Sequence, residues 1–500
     1  MRHGLLIIIQ WVFVFHAEAQ VESGPDSLAS RIDKYLNLCV ANGYAASILV
    51  SKDGEIVLSK GYGMADRELK TPVMPSTIFN IGSVTKQFTA AGILKLQESN
   101  QLNISDKIQK YFPKAPDDKS SITIHQLLTH TSGIASGTGG FRYQEVKKED
   151  VLSETLQVPL MSVPGNQYTY ANANYILLAA IIEIVAEQDY ESFMKTIFWD
   201  PLQMYHTGYR SFTAIIPQMA HGYRFDETIG EWNDWGTTPD HLPKNSNHWY
   251  SVGKGDIQST VEDLYKWHVS LEEHASLSIE MKNLMESAHV PENDEKTSYY
   301  GYGWAIFNTP ENKRIIAHNG SNGIYFADFI RYVDDELVII VLSNIRLNRQ
   351  SENVAWEIAA MINDHDYMPT VIPKNTYELV FDFMRNNTSN KSKELPQFLK
   401  QATGNNLNDP AILNRIGFKQ VSNMLAIEWG IELLKLNTEL FPNDGNLWDS
   451  LGEAFYLIND RDNALFSFKK ALDLKPTTNC HWCPNTLSRL KELSNNRTNK

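Results

Sequence analysis

The run Phe79-Asn80-Ile81-Gly82-Ser83-Val84-Thr85-Lys86-Gln87-Phe88 sets a serine and a lysine one helical turn apart inside an apolar stretch. From Ile81 onward, Val84, Phe88, Ile93, Leu94 and Leu96 recur at helical spacing, and the small residues between them suit a buried helix. Ser83 and Lys86, three apart, share one face. A lysine at the start of a buried helix is costly unless it is partnered, and burial lowers its pKa toward a range where it can exchange protons. A serine at a helix start serves most often as an N-cap, so the pair takes a chemical meaning only from its company.

That company lies far off in sequence. Tyr170-Ala171-Asn172 follows a Pro164-Gly165 turn and precedes an apolar helical run from Tyr175 to Val185. A phenol is a poor base at its free pKa of about 10, but an adjacent ammonium can hold it ionised. Asn172 offers a donor and an acceptor, suited to orienting the lysine and a substrate amide. Downstream, His318-Asn319-Gly320-Ser321 opens a β-rich stretch where glycine permits close approach to the strand backbone. A strand N–H there, with the N–H of Ser83, would form an oxyanion hole.

The flanking patterns give these segments a frame. Residues 26–43 read as an amphipathic helix with Leu28, Ile32, Leu36 and Cys39 near one face. Two β patterns, Ser47–Ser51 and Glu55–Lys60, are joined by the tight-turn signal Asp53-Gly54. A lone hairpin is marginal, and its candidate partners lie at Tyr302–Phe307, Arg314–Ala317, Tyr325–Tyr332 and Glu336–Leu342. The layout predicts an α+β domain: one antiparallel sheet closed by both ends of the domain and flanked by helices, with a helical lobe inserted between. The stretch from Phe225 to Tyr250, which holds Trp232, Trp235 and Trp249, reads as a long irregular loop that either walls the cleft or packs on the surface.

In order and spacing, S-V-T-K, Y-A-N and H-N-G resemble the motifs of the serine β-lactamase and penicillin-binding-protein superfamily, in its class C-like branch of D-aminopeptidases, DD-carboxypeptidases and esterases. Leu127-Leu128-Thr129-His130-Thr131-Ser132-Gly133, Gly255-Asp256-Ile257-Gln258-Ser259-Thr260 and Tyr300-Gly301-Tyr302-Gly303-Trp304 resemble further segments of that family. The resemblance covers about residues 25–362 and implies the β-lactamase/DD-peptidase-like fold. It implies Ser83 as acylated nucleophile, Lys86 as its proton-transfer partner, and Tyr170 as general base and proton donor to the leaving group. Asn172, His318, Gly320 and Ser321 would bind substrate, with the Ser83 and Ser321 N–H groups on the oxyanion. The family often has serine where Ala171 stands. Typical class C β-lactamases and DD-peptidases have lysine where His318 stands; histidine is mostly neutral at pH 7, so recognition of a substrate carboxylate should be weaker. The reading is a hydrolase acting through an acyl-enzyme on a D-amino-acid peptide, a peptidoglycan-type peptide or a small acyl ester. The alternatives are a β-lactamase proper, or a catalytically weak sensor whose C-terminal repeats recruit a partner. No cofactor is implied, and His125 and His130 lack the H-E-x-x-H spacing of a metal site.

The C-terminal part reads differently. Trp448, Leu451, Gly452, Phe455, Ala464, Phe468, Ala471 and Pro476 reproduce the W-x2-L-G-x2-F-x8-A-x3-F-x2-A-x4-P spacing of a tetratricopeptide repeat. A weaker copy precedes it, with Pro442 lying 34 residues before Pro476. The expected organisation is a hydrolase domain over residues 20–364, a linker with a helical segment over 365–404, and an all-α tetratricopeptide-like module over 405–495 that packs on the main domain or on a protein partner. Cys480-His481-Trp482-Cys483 reads as either a plain loop or a local disulfide, with the loop favoured, and Cys39 reads as a buried core residue.

The 500 residues, 42% hydrophobic, suit two or three domains at about 150 residues each. With 45 basic and 59 acidic side chains the net charge is -14, which disfavours a nucleic-acid partner. Arg2 and His3 precede an apolar run from Leu5 to Phe15, and Ala17-Glu18-Ala19 is a small-x-small cleavage pattern. Residues 1–19 are therefore expected to be an export signal, leaving a periplasmic or secreted protein without a stable membrane span; the other reading is an uncleaved anchor.

Overall fold

The computed structural model describes residues 27–135, 144–209, 218–242, 249–347, 349–477 and 479–495, so the expected export signal lies outside the described residues. An eight-stranded antiparallel sheet carries the first part of the chain. Its strands are β1 (Ala46–Lys52), β2 (Glu55–Tyr62), β3 (Val290–Pro291), β4 (Ser298–Tyr300), β5 (Ala305–Asn308), β6 (Arg314–Ser321), β7 (Phe326–Tyr332) and β8 (Leu337–Ser343). They lie in the order β2-β1-β8-β7-β6-β5-β4-β3. Hairpin strand β1 pairs with β8 from Ala46↔Ser343 to Lys52↔Leu337, which closes the sheet with both ends of the domain as the pattern predicts. β7 and β8 are buried along their whole length, the mark of strands covered on both faces.

Helix α1 (Leu28–Ala41) runs close to its predicted bounds and buries Ile32, Tyr35, Leu36 and Cys39. The inserted lobe holds α2 (Thr85–Glu98) and α3 (Asn172–Ala186), which pack together. Both are buried nearly all round, so both are core helices rather than surface ones. Next, α4 (Val261–Glu272) packs against β1 and β8, while α5 (Val354–Asn363) packs on the sheet and on α1. One continuous apolar cluster links these elements from Ile32 to Ile372.

The sequence reading of Phe225–Tyr250 as a long loop is corrected in part. Gly222–Asp226 and Glu231–Gly236 form an antiparallel hairpin, whose pattern was masked by charged residues on its open side. Trp232 and Trp235 belong to this hairpin, while Trp249 donates to Glu183, 3.2 Å away in the inserted lobe.

The rest of the chain is helical: α6 (Thr376–Asn386), α7 (Leu395–Thr403), α8 (Pro410–Ser422), α9 (Ile427–Leu440), α10 (Gly445–Leu457), α11 (Arg461–Asp473) and α12 (Cys483–Asn495). The helical segment expected within 365–404 is the pair α6 and α7, and Val380, Phe383, Leu395 and Leu399 share one apolar cluster with Leu413, Ile416 and Leu433. α8 packs on α9 and α10 on α11, with Gly452 against the Phe468 ring and Ala464 fully buried. Cys480 and Cys483 are disulfide-bonded, against the favoured plain loop. The turn into α12 brings the two sulfurs together, and the Cys483 N–H donates to Cys480 Sγ at 3.2 Å.

This helical part sits on the hairpin. Trp232 Nε1 donates to Glu378 at 3.0 Å, Gln420 Nε2 to the Thr228 carbonyl at 2.7 Å, and Arg385 to the Gly230 carbonyl. Lys419 pairs with Glu227 at 3.1 Å, and the Phe225 and Phe381 rings are 6.1 Å apart. Among the described residues no helix is long and apolar enough to cross a membrane, and no group of three or more His, Cys, Asp or Glu could hold a metal ion.

Candidate active site

Ser83 lies in a 3-10 turn, Gly82–Val84, that feeds directly into α2. The helix has no side-chain N-cap, so Ser83 is not spent on capping. Its hydroxyl lies 3.0 Å from Lys86 Nζ and hydrogen-bonds the Tyr170 phenol. The turn is pinned from behind. Asn80 Oδ1 accepts the Gly82 N–H at 2.9 Å, while Asn80 Nδ2 donates to Asp256 at 3.0 Å, and Ser251 donates to the same carboxylate.

Lys86 is fully buried, and its amine has three partners: Ser83 Oγ, Asn172 Oδ1 at 2.9 Å and the Lys254 carbonyl at 2.6 Å. Burial, reinforced by the Lys254 charge and opposed by Asp256, drives its pKa well below the usual lysine range. Tyr170 comes from the segment entering α3, and its ring lies 4.9 Å from Lys86 Nζ. Burial pushes the phenol above its ordinary pKa; the Ser83 hydrogen bond lowers it and the Glu292 charge raises it further. Burial thus pulls against the expectation that a lysine ammonium holds this phenol ionised: in a site this dry both charged forms lose their hydration, which pushes lysine and tyrosine toward their neutral forms.

The third segment closes the site from the sheet. β6 brings Gly320 and Ser321 against the Ser83 turn so tightly that a Cβ on Gly320 would lie 2.1 Å from the Ile81 carbonyl oxygen and 2.6 Å from Ser83 N. Gly82, at φ +51°, would place a Cβ 2.5 Å from Ser321 N. The two glycines thus bring the Ser83 and Ser321 backbones to one seam. His318, 7% exposed, has its Nδ1 at 2.6 Å from the Asn319 carbonyl and its Nε2 at 3.1 Å from the Tyr300 hydroxyl. Burial, with the nearby Lys86, lowers its pKa to about 3, so the ring is uncharged at neutral pH. Nδ1 carries the proton and Nε2 accepts from Tyr300.

All seven residues singled out from the sequence, Ser83, Lys86, Tyr170, Asn172, His318, Gly320 and Ser321, therefore border one site. Others escaped that reading. The Lys254 carbonyl is backbone and carries no side-chain signal. Tyr300 opens the quoted Y-G-x-G-W segment without an assigned role. His130, in the L-L-T-H-T-S-G run, lies tilted against Tyr170 with 4.4 Å between ring centres, and its Nδ1 accepts the Ala171 N–H at 3.1 Å. Tyr168 donates to Glu292 at 2.8 Å.

Comparison with known proteins agrees with this architecture. Residues 28–363 match the Beta-lactamase family. A penicillin-binding protein of Bacillus subtilis is 29% identical over 334 residues, covering 64% of this chain and 72% of its own. Among solved structures, an octameric penicillin-binding-protein homologue from Pyrococcus abyssi is similar at TM-score 0.58 and 26% identity, over 67% of this chain and 76% of that one. The D-amino acid amidase of Ochrobactrum anthropi shares the fold at TM-score 0.57 and 19% identity, over 67% of this chain and 99% of its own.

Proposed function

The chain belongs to the beta-lactamase family of serine hydrolases, and on that premise we propose that it cleaves an amide or ester through an acyl-enzyme on Ser83. The observation that carries the reading is the environment of Lys86. A neutral amine has two N–H bonds and one lone pair; Asn172 and the Lys254 carbonyl take the two hydrogens, which leaves the lone pair for the Ser83 hydroxyl 3.0 Å away. Lys86 then accepts the Ser83 proton as Oγ attacks the carbonyl carbon. The Ser83 and Ser321 N–H groups stabilise the resulting oxyanion. As the intermediate collapses, the bond to the leaving group breaks and the Tyr170 phenol protonates it, recovering its proton from Lys86. Water hydrolyses the acyl ester by the reverse path.

The neutral His318 bears on the substrate. A permanent cation at that position would recognise a substrate carboxylate; an uncharged ring with both nitrogens engaged does not. Amides and esters without a carboxylate beside the scissile bond are therefore favoured over β-lactams and carboxylate-terminated peptides. The pattern of residues 1–19 supports an exported protein. We assign residues 28–363 to the hydrolase unit and the helices from Thr376 onward to a docked tetratricopeptide-like unit that contributes no group to the chemistry. The test is a fluorophosphonate probe: stoichiometric labelling of wild type and none of Ser83→Ala is expected, and equal labelling of both refutes the assignment.

A further inference from the structure

His130 takes no part in the proton transfers above, yet three contacts tie it to the Tyr170 segment. Its carbonyl accepts the Thr169 N–H at 2.9 Å and its Nδ1 accepts the Ala171 N–H at 3.1 Å. One residue therefore grips the chain immediately before and immediately after Tyr170, and its ring lies against the phenol ring at 4.4 Å between centres. The grip is itself held. Asn174 Nδ2, in the first turn of α3, lies 3.2 Å from the same Nδ1, and Asn174 Oδ1 accepts the Ser132 hydroxyl at 2.6 Å. His130, Ser132 and Asn174 are all fully buried. A ring nitrogen approached by a backbone N–H and an amide NH2 is an acceptor, which puts the imidazole proton on Nε2 and keeps the ring neutral. The backbone is strained at the same residue. His130 follows the cap of the short helix Ile124–Leu128 with φ +58°, in the left-handed region. Glycine closes a helix there freely, whereas a larger residue persists in that conformation only where its surroundings hold it.

We propose that His130 is the positioning residue for Tyr170: its carbonyl and Nδ1 fix the backbone on both sides of the phenol, and its ring fixes the direction in which the phenol points. The inference rests on the acyl-enzyme reading and adds to it what holds the leaving-group acid in place. Loosening the grip should slow the expulsion of leaving groups that must be protonated and spare those that depart as stable anions. A histidine that merely supports the fold would affect both kinds alike.

The test compares ethyl butyrate with 4-nitrophenyl butyrate, two esters of one acid, on the full chain. Ethoxide must take a proton to leave; 4-nitrophenolate need not. His130→Phe keeps a ring and removes the Nδ1 acceptor. It should lower kcat/KM for ethyl butyrate at least tenfold more than for 4-nitrophenyl butyrate. His130→Asn puts an amide oxygen where Nδ1 stood and tolerates the left-handed turn, so it should bring the ratio of the two back to within about threefold of wild type. In a Tyr170→Phe background, His130→Phe should change that ratio less than about twofold, because the residue it acts through is gone. Equal losses on both esters, no recovery in His130→Asn, or the same selective loss without the phenol overturns the inference while leaving the acyl-enzyme reading in place. If His130→Phe fails to fold, Asn174→Leu, which removes the second donor to Nδ1 and frees the ring to turn, decides on the same two esters: selective loss supports the inference and equal loss overturns it. Absence of any Ser83-dependent turnover of both esters removes the acyl-enzyme reading, and this inference with it.

Discussion

Gly320→Ala tests the seam between strand β6 and the nucleophile turn. The added Cβ would meet only backbone, at 2.1 Å from the Ile81 oxygen, 2.6 Å from Ser83 N and 3.0 Å from Gly82 C. None of these can swing aside as a side-chain end would. An ordinary carbon-to-oxygen approach is about 3.3 Å, so strand and turn must part by roughly 1 Å. Displacements of that size at a reacting centre cost about 100-fold, and loss of one oxyanion donor costs about 100- to 1,000-fold. We expect kcat/KM on an activated ester to fall at least 100-fold, with 1–3 kcal/mol of stability lost to overpacking as an order of magnitude. Gly255→Ala is the control. It lies in the same neighbourhood, but its Cβ would sit 3.8 Å from the Gly82 oxygen, ordinary contact distance, and it should retain near-normal kinetics and melting temperature. Gly320→Ala retaining kcat/KM within threefold of wild type would refute the placement of the oxyanion donors at this seam.

Further outcomes follow from the same geometry. Lys86→Ala should lower kcat/KM at least 100-fold with the fold intact; in wild type the rate should already be high at neutral pH and fall on acidification as the amine protonates, whereas a rate still climbing toward pH 10 would mean an ordinary lysine and defeat the neutral-base assignment. His268 is half-buried, and desolvation together with the Arg331 charge lowers its pKa to about 3. Its unfolded form binds a proton below about pH 6.5 and its folded form does not, so stability should fall as pH drops from 6.5 toward 3, by about 2 kcal/mol at pH 5 from this group alone. Urea titrations of wild type and His268→Phe at pH 7 and pH 5 would read it, and an identical pH dependence would count against it. Phe381→Ala should loosen the helical part from the hairpin at a cost of about 3–5 kcal/mol, read as faster hydrogen exchange in residues 222–236, and unchanged exchange would show that the docking rests elsewhere.

The sequence reached the site wherever chemistry is encoded by close spacing. Ser83 and Lys86 are one turn apart, and the turn-then-helix context of Tyr170 and Asn172 survives into the structure. It failed where the deciding partner is remote or is backbone. The third contact of Lys86 is the Lys254 carbonyl, 168 residues away. Glu292 reaches Tyr168 across 124 residues. The upward push on the Tyr170 phenol was hidden for a related reason: local sequence shows which charges are neighbours, not how much water the fold removes. The hairpin at 222–236 escaped because its burial comes from remote partners on two sides, Tyr223 in the core of the main domain and Phe225 against Phe381 of α6, rather than from alternation within the strands.

The pairing of β1 with β8 has a consequence in time. Ala46 finds Ser343 only after about 300 further residues are made, on the order of 15–60 s at ordinary rates of synthesis. Until then the first hairpin has no central neighbour and the loop of chain awaiting closure is nearly the whole domain. A nascent chain of this protein is thus inert and threadable for most of its birth, and hydrolytic capacity arrives in a single late event.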